Sequence, residues 1–190
     1  MTKSVCVYCA SSSRVDAQYL EAARELGCIL AQVGVGVVCG AGRAGLMGAL
    51  IDGAIENNGE TIGVIPQFMV DNGWHHKGLT RMEVTDSMHT RKQLMARLSC
   101  AAIAMPGGCG TLEELLEIIT WRQLGLFHGN IVILNIGGYY DPLLQMLDNA
   151  LQQGFMKDEH ARLWTVASTP QEAVEQALQH SEVFAAQDKY

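Results

Sequence analysis

Two glycine-rich segments and one charged segment hold most of the chemistry-bearing residues of this sequence. Pro106-Gly107-Gly108-Cys109-Gly110-Thr111 follows a short apolar run and precedes an amphipathic one. Three glycines at a strand-to-helix junction let the backbone approach an anion closely, and Thr111 adds a hydroxyl. No Gly-Lys-Ser/Thr follows, so this is not a Walker loop. A monophosphate held by the positive helix end without magnesium suits it, and a ligand-free glycine turn is the plainer alternative. Gly40-Ala41-Gly42-Arg43-Ala44-Gly45 fits the G-x-G-x-x-G of dinucleotide sites. It follows the second predicted strand rather than the first, and the next strand ends in Pro66 where a ribose-binding acid is expected, which weighs against nicotinamide. Mononucleotide contact or a tight turn remains.

The charged segment is Ser87-Met88-His89-Thr90-Arg91-Lys92. Its cations sit near a helix N-terminus, the wrong end for the macrodipole, so a nearby anion is expected to compensate them. The planar fork of Arg91 suits a phosphate or a leaving base, or else a surface salt bridge. Glu113, Glu114 and Glu117 crowd the first turns of the next helix. Thr111-Leu112-Glu113-Glu114 has capping-box spacing, so Glu114 is open to two readings, a cap or a catalytic carboxylate. Glu117 reads as part of a solvated acidic face, and His89 as a turn residue.

These segments need a scaffold, and short β-branched runs alternating with amphipathic ones predict it. The strand candidates are Ser4 to Cys9, Gly36 to Cys39, Thr61 to Ile65, Arg81 to Val84, Ala101 to Met105, Ile131 to Asn135 and Leu163 to Ala167. Helices are predicted over Asp16 to Val33, Leu46 to Asn58, Met88 to Ser99, Leu112 to Leu124, Asp141 to Gln153 and Pro170 to His180. Thr169-Pro170-Gln171-Glu172 opens the last with a capping-box spacing. Pro66 to Thr80 reads as a loop over the ligand edge. The prediction is one α/β domain over residues 1–190, a Rossmann-like doubly wound sheet, mostly parallel, with helices on both faces. Ligands bind such a sheet at the carboxyl ends of its strands, where Ala10-Ser11-Ser12-Ser13-Arg14 adds hydroxyl donors.

The 190 residues suffice for a substantial core, and 48% apolar against 17% charged residues fits a globular protein. A formal charge of −7, with 13 basic against 20 acidic residues, argues against a general nucleic-acid partner. No apolar run reaches membrane-spanning length and the N-terminus lacks a signal-peptide pattern, so no membrane partner and a cytoplasmic location are expected. Of six cysteines, Cys6, Cys28, Cys39 and Cys100 lie in apolar segments and read as small hydrophobes. Cys6 and Cys9 have C-x-x-C spacing without a second pair, and His75 and His76 point apart as neighbours. No metal site is expected.

With these residues in view, the sequence resembles the Lonely Guy family, the cytokinin riboside 5'-monophosphate phosphoribohydrolases, sometimes mislabelled lysine decarboxylases. Pro106 to Glu114 fits that family's P-G-G-x-G-T-x-x-E, Met88-His89-Thr90-Arg91-Lys92 its M-H-x-R-K, and Gly45-Leu46-Met47-Gly48 its upstream glycine segment. Ile119 to Gly125 and Asn135-Ile136-Gly137-Gly138-Tyr139-Tyr140 extend the likeness. The resemblance implies hydrolysis of the N-glycosidic bond of AMP or a prenylated AMP, without cofactor, to the free base and ribose 5-phosphate. It maps the catalytic pair onto Arg91 and Glu114. It maps phosphate and ribose contacts onto Lys92, Gly107, Gly108, Cys109, Gly110, Thr111, Leu112 and Glu113, with Thr120 in the same pocket. Met88, Ser11 and Gly42 complete the expected substrate contacts. It also implies a homodimer through the helices after both motifs. Ala41 replaces a glycine common in the family, a mild change if no positive φ is needed there. Gly73, with Asp71 nearby, stands where the family usually carries a substrate-contacting acid. A nucleotide or pterin-cofactor carrier without turnover is the competing reading, against which Arg91 and Glu114 are intact. A PLP decarboxylase is excluded because nothing around Lys92 supplies an acid for the pyridinium.

Overall fold

A computed structural model describes residues 3–181. Seven parallel strands form one sheet in the order β4-β3-β2-β1-β5-β6-β7. In chain order these are β1 (Ser4–Tyr8), β2 (Gly36–Cys39), β3 (Thr61–Pro66), β4 (Arg81–Thr85), β5 (Ala101–Ala104), β6 (Ile131–Leu134) and β7 (Thr165–Ala167). The helices are α1 (Ala17–Gln32), α2 (Gly45–Glu56), α3 (Gln67–Asp71), α4 (Met88–Arg97), α5 (Cys109–Gln123), α6 (Asp141–Gln152) and α7 (Pro170–Leu178). Central strands are buried on both faces, which is why they read as unbroken apolar runs. Val5, Val7 and Val37 enter one core with α1, α2 and α7. Cys6, Tyr8 and Val38 enter the other with α4, α5 and α6.

The predicted doubly wound architecture is the one observed. The order runs outward from β1 to β4 on one side and from β5 to β7 on the other, so the chain changes direction between β1 and β5. Loops leaving those strands diverge there and open a crevice at their carboxyl ends. Three backbone bonds tie its walls: Met105 N–H donates to Tyr8 O at 2.8 Å, Ala10 N–H to Pro106 O at 3.2 Å and Met47 N–H to Ala10 O at 3.1 Å.

Three boundaries differ from expectation. The stretch Pro66 to Thr80 holds α3 before it loops. The last strand starts at Thr165, because Leu163 N–H closes a 3-10 turn on His160 O at 3.1 Å. The fifth helix begins at Cys109 rather than Leu112, with Gly108 as its N-cap. Cys100 is exposed rather than buried. Thr169 does cap α7, its side chain accepting the Glu172 N–H at 3.2 Å.

The helix α2, which presents the Gly40 loop, is set by backbone-to-backbone contact with α1. A Cβ on Gly27 would lie 2.1 Å from Leu50 O, and one on Gly53 would lie 2.1 Å from Arg24 O. Gly27→Ala is therefore expected to destabilise by about 1–3 kcal/mol, although alanine is the better helix former by about 1 kcal/mol. Urea titration measures this, and an unchanged midpoint would contradict it.

Candidate active site

The loops after β1, β2 and β5, the segment from β3 into α3, and the start of α4 surround a cleft of about 610 Å³. That volume suits a small nucleotide. Ser11, Gly42, Met88, Gly108, Gly110, Thr111, Glu113, Arg91 and Glu114 all line it. Cys109 is exposed at the first position of α5.

The helix α4 starts where a reciprocal cap forces it to. Ser87 Oγ accepts the Thr90 N–H and Thr90 Oγ1 accepts the Ser87 N–H, both at 3.2 Å. One turn later Arg91 points inward, its side chain only 8% exposed. Arg91 Nε donates to Val64 O at 3.0 Å and Nη1 to Glu114 Oε1 at 3.1 Å. A Cβ on Gly40 would lie 1.9 Å from Arg91 Nη2, so the first glycine of the G-x-G-x-x-G segment is there to admit the guanidinium.

The same geometry removes the capping reading of Glu114. Because α5 begins at Cys109, Thr111 is already its third residue and caps nothing. Its side chain folds back on Gly107, where a Cβ would sit 2.1 Å from Thr111 Oγ1. Glu114 instead faces Arg91 on the cleft wall. Burial pushes its carboxyl up, Arg91 pulls it back, and neighbouring Glu113 adds to the rise.

Several expected contacts lie elsewhere. Lys92 does not line the cleft; its buried Nζ donates to Glu113 Oε1 at 2.5 Å and Glu117 Oε1 at 3.2 Å. Desolvation works against its charge, yet these two carboxylates hold its pKa above the ordinary lysine value. The anions that compensate the cations of α4 are thus acids of α5, and Glu117 is an ion-pair partner rather than a solvated face. Leu112 packs into the α5 side of the core. Gly107 is off the cleft wall beneath Thr111. Thr120 is exposed on the outer side of α5, its Oγ1 donating to Leu116 O at 2.8 Å.

Sequence reasoning missed the apolar wall formed by Ile65, Met69 and Trp74. Large apolar residues in a presumed surface loop were the available signal. This strap is bonded to the Gly40 loop through Arg43 N–H to Trp74 O at 3.1 Å and His76 N–H to Ala41 O at 2.8 Å. His76 Nε2 lies 3.0 Å from Asp52 Oδ1. Holding this path, Ala41 takes a φ of 64°, so the replacement of glycine is strained by about 1 kcal/mol rather than mild. Gly73 ends α3 at a φ of 66°, a conformational reason for glycine where an acid was sought. Neither Gly73 nor Asp71 lines the cleft.

The glycines of the cradle divide by cause. Gly107 makes room for Thr111, whereas Cβ atoms on Gly108 and Gly110 would meet nothing within 4 Å. Neither has positive φ. Among the described residues, no neighbour requires glycine at these two positions. The thiols of Cys6 and Cys9 are raised well above the ordinary value by burial, and that of Cys39 is pushed up to about 11. They are inert at neutral pH.

A carboxylate and a guanidinium fixed side by side near an anion cradle can stabilise opposite charges developing within one bound molecule. At neutral pH Glu114→Gln is expected to leave thermal stability unchanged or raised. The amide keeps an acceptor for Arg91 and removes the cost of a buried charge, which relaxes only as pH falls through the raised Glu114 value. A fall in the melting temperature at pH 7 would show that the carboxylate serves the fold.

A family model described as "Possible lysine decarboxylase" matches residues 47–177. Among curated proteins, the chain is 41% identical over 180 residues to "Probable cytokinin riboside 5'-monophosphate phosphoribohydrolase LOGL2" of Oryza sativa subsp. japonica, covering 94% of this chain and 73% of that protein. It is 39% identical over 183 residues to "Cytokinin riboside 5'-monophosphate phosphoribohydrolase LOG7" of Arabidopsis thaliana, covering 96% and 84%. Among solved structures, the molybdenum cofactor carrier protein of Chlamydomonas reinhardtii superposes with a TM-score of 0.72 at 23% identity, covering 94% of this chain and 99% of that one. At that identity the likeness shows the fold alone.

Proposed function

The chain belongs to the Lonely Guy family of cytokinin riboside 5'-monophosphate phosphoribohydrolases, and from that premise we propose that it hydrolyses the N-glycosidic bond of adenosine-type 5'-monophosphates. The products are the free base and ribose 5-phosphate. One observation carries the reading: the buried Arg91–Glu114 pair sits on the wall of a cleft that also holds the open cradle of Gly108 and Gly110.

In the reaction the C1'–N9 bond gives its electron pair to the purine, water adds its oxygen to C1', and the proton that water loses ends on the departing base. Positive oxocarbenium character grows on the ribose and negative charge on the base. Glu114 faces the sugar and orients the water, while Arg91 stabilises the departing base or fixes the nucleotide. The 5'-phosphate binds at the N-terminus of α5, where Thr111 adds its hydroxyl. This remote handle positions the ribose for attack. Lys92 neutralises Glu113 beside the cradle, which lowers the repulsion a phosphate meets there. Ile65, Met69, Trp74 and Met88 supply an apolar wall that suits an unsubstituted or prenylated adenine.

A second copy of the chain completes the assembly in this reading. The outer face of α5 exposes Leu116 beside Glu113 and Thr120, and α4 exposes Met88. A homodimer through these helices covers that surface. Sedimentation is expected to give twice the 20.6 kDa chain mass; a monomer at micromolar concentration would contradict it. No helix among the described residues is long and apolar enough to cross a membrane. All six cysteines are free, which suits a reducing cytoplasm.

Incubation with AMP, prenyl-AMP, CMP and GMP, followed by chromatography, tests the reaction. Base and ribose 5-phosphate are expected from the adenine nucleotides, far more slowly from the dephosphorylated ribosides. Arg91→Ala and Glu114→Gln should each lower kcat by about a hundredfold or more. The acid limb of the pH profile should lie above the ordinary glutamate value and rise further in Arg91→Ala, which loses the group that pulls Glu114 down. Binding of every nucleotide without base release would support a carrier instead.

A further inference from the structure

The motif Asn135-Ile136-Gly137-Gly138-Tyr139-Tyr140 lies outside the cleft, and the reaction above gives it no role. Its construction is nevertheless specific. Gly137 and Gly138 both take positive φ, 60° and 74°, a path that side chains disfavour. Asn135 Oδ1 accepts the Tyr140 N–H and Asn135 Nδ2 donates to Asp141 Oδ1, each at 2.7 Å. The turn delivers two hydroxyls to one loop: Tyr140 Oη donates to Met105 O and Tyr139 Oη to Gly107 O, each at 2.6 Å. Tyr140 is fully buried, so its hydroxyl must find a partner inside the protein. Tyr139 is 41% exposed and under no such compulsion. Its ring is held edge-on by Tyr19 at 6.0 Å and by Tyr140 at 5.1 Å between centroids.

We infer that Tyr139 is a positioning residue for the substrate's anionic group: its hydroxyl, by holding the Gly107 carbonyl on the outer side of the loop, turns the Gly108 N–H into the cleft. The peptide between them is trans, so that carbonyl and that N–H point in opposite directions. Gly108 lines the cleft and Tyr139 does not. One residue earlier, the Pro106 carbonyl is held in the same manner by Ala10 N–H. A Gly-Gly peptide rotates at little cost, so an anion donor built from one needs an external hold. Ordering it in advance lowers the cost of binding. This rests on the reading of the cleft as a nucleoside monophosphate site.

Tyr139→Phe removes the hydroxyl and keeps the stacked ring, and two readouts separate positioning from folding. Calorimetry with ribose 5-phosphate is expected to give about three- to tenfold weaker binding than wild type, the effect of one hydrogen bond. In turnover, KM for the nucleoside monophosphate should rise by the same factor with kcat within about twofold, while the dephosphorylated riboside reacts as with wild type. Equal affinity of both proteins for ribose 5-phosphate would overturn the inference. So would equal losses on the monophosphate and the riboside, which mark general damage. Wild type that binds ribose 5-phosphate without releasing base from any nucleotide would sink the proposed reaction while still giving the comparison of the two affinities. Wild type that fails to bind it would overturn both.

Discussion

A guanidinium buried between two helices is the constraint around which this molecule is arranged. Taking such a charge out of water costs several kcal/mol unless its donors are met. Arg91 meets that requirement with a strand carbonyl, Val64 O, and a carboxylate, Glu114, from different parts of the chain. Gly40 gives up its side chain to make the space. Thus β2, β3, α4 and α5 each contribute one feature, and none can shift by a residue without exposing the charge or leaving it unpaired.

The carboxylate is constrained in turn. Burial pushes the Glu114 carboxyl above its ordinary value, and the adjacent guanidinium, helped by Lys92, pulls it back. Beside this pair Lys92 joins Glu113 and Glu117, a second tie between the same two helices. The outcome is two cations and three anions in one patch. In the proposed reading an acidic protein holds an anionic ligand there through backbone N–H groups rather than surface lysines.

Much of this was legible in the sequence. Parallel strands buried on both faces must be runs of small and β-branched residues, as Val5 to Val7 and Ile131 to Ile133 are, and the loops at their carboxyl ends follow from the topology. Arg91 stood out because a cation at a helix start needs an explanation. What could not be read was partnership. The spacing Thr111 to Glu114 is the same whether Glu114 caps or faces a cleft, and the answer depends on Gly108 starting the helix three residues early. Lys92 carried the same signal as Arg91 yet turns to α5 instead of the cleft. Ala41 looked tolerant because strain belongs to the path between two loops, Ala41 and His76, which are far apart in sequence. Trp74 and Met69 were hidden by the ordinary rule that loops face water, and Tyr139 acts from behind the loop it holds.

The central claim is spatial: one molecule bridges the α5 N-terminus and the Arg91–Glu114 pair. A crystal structure of the protein with ribose 5-phosphate bound tests it most directly. The phosphate is expected on the N–H groups of Gly108 and Gly110, and the anomeric carbon between Glu114 and Arg91. Phosphate seated instead at the Ser11–Arg43 end of the cleft, or a sugar directed away from that pair, would contradict it.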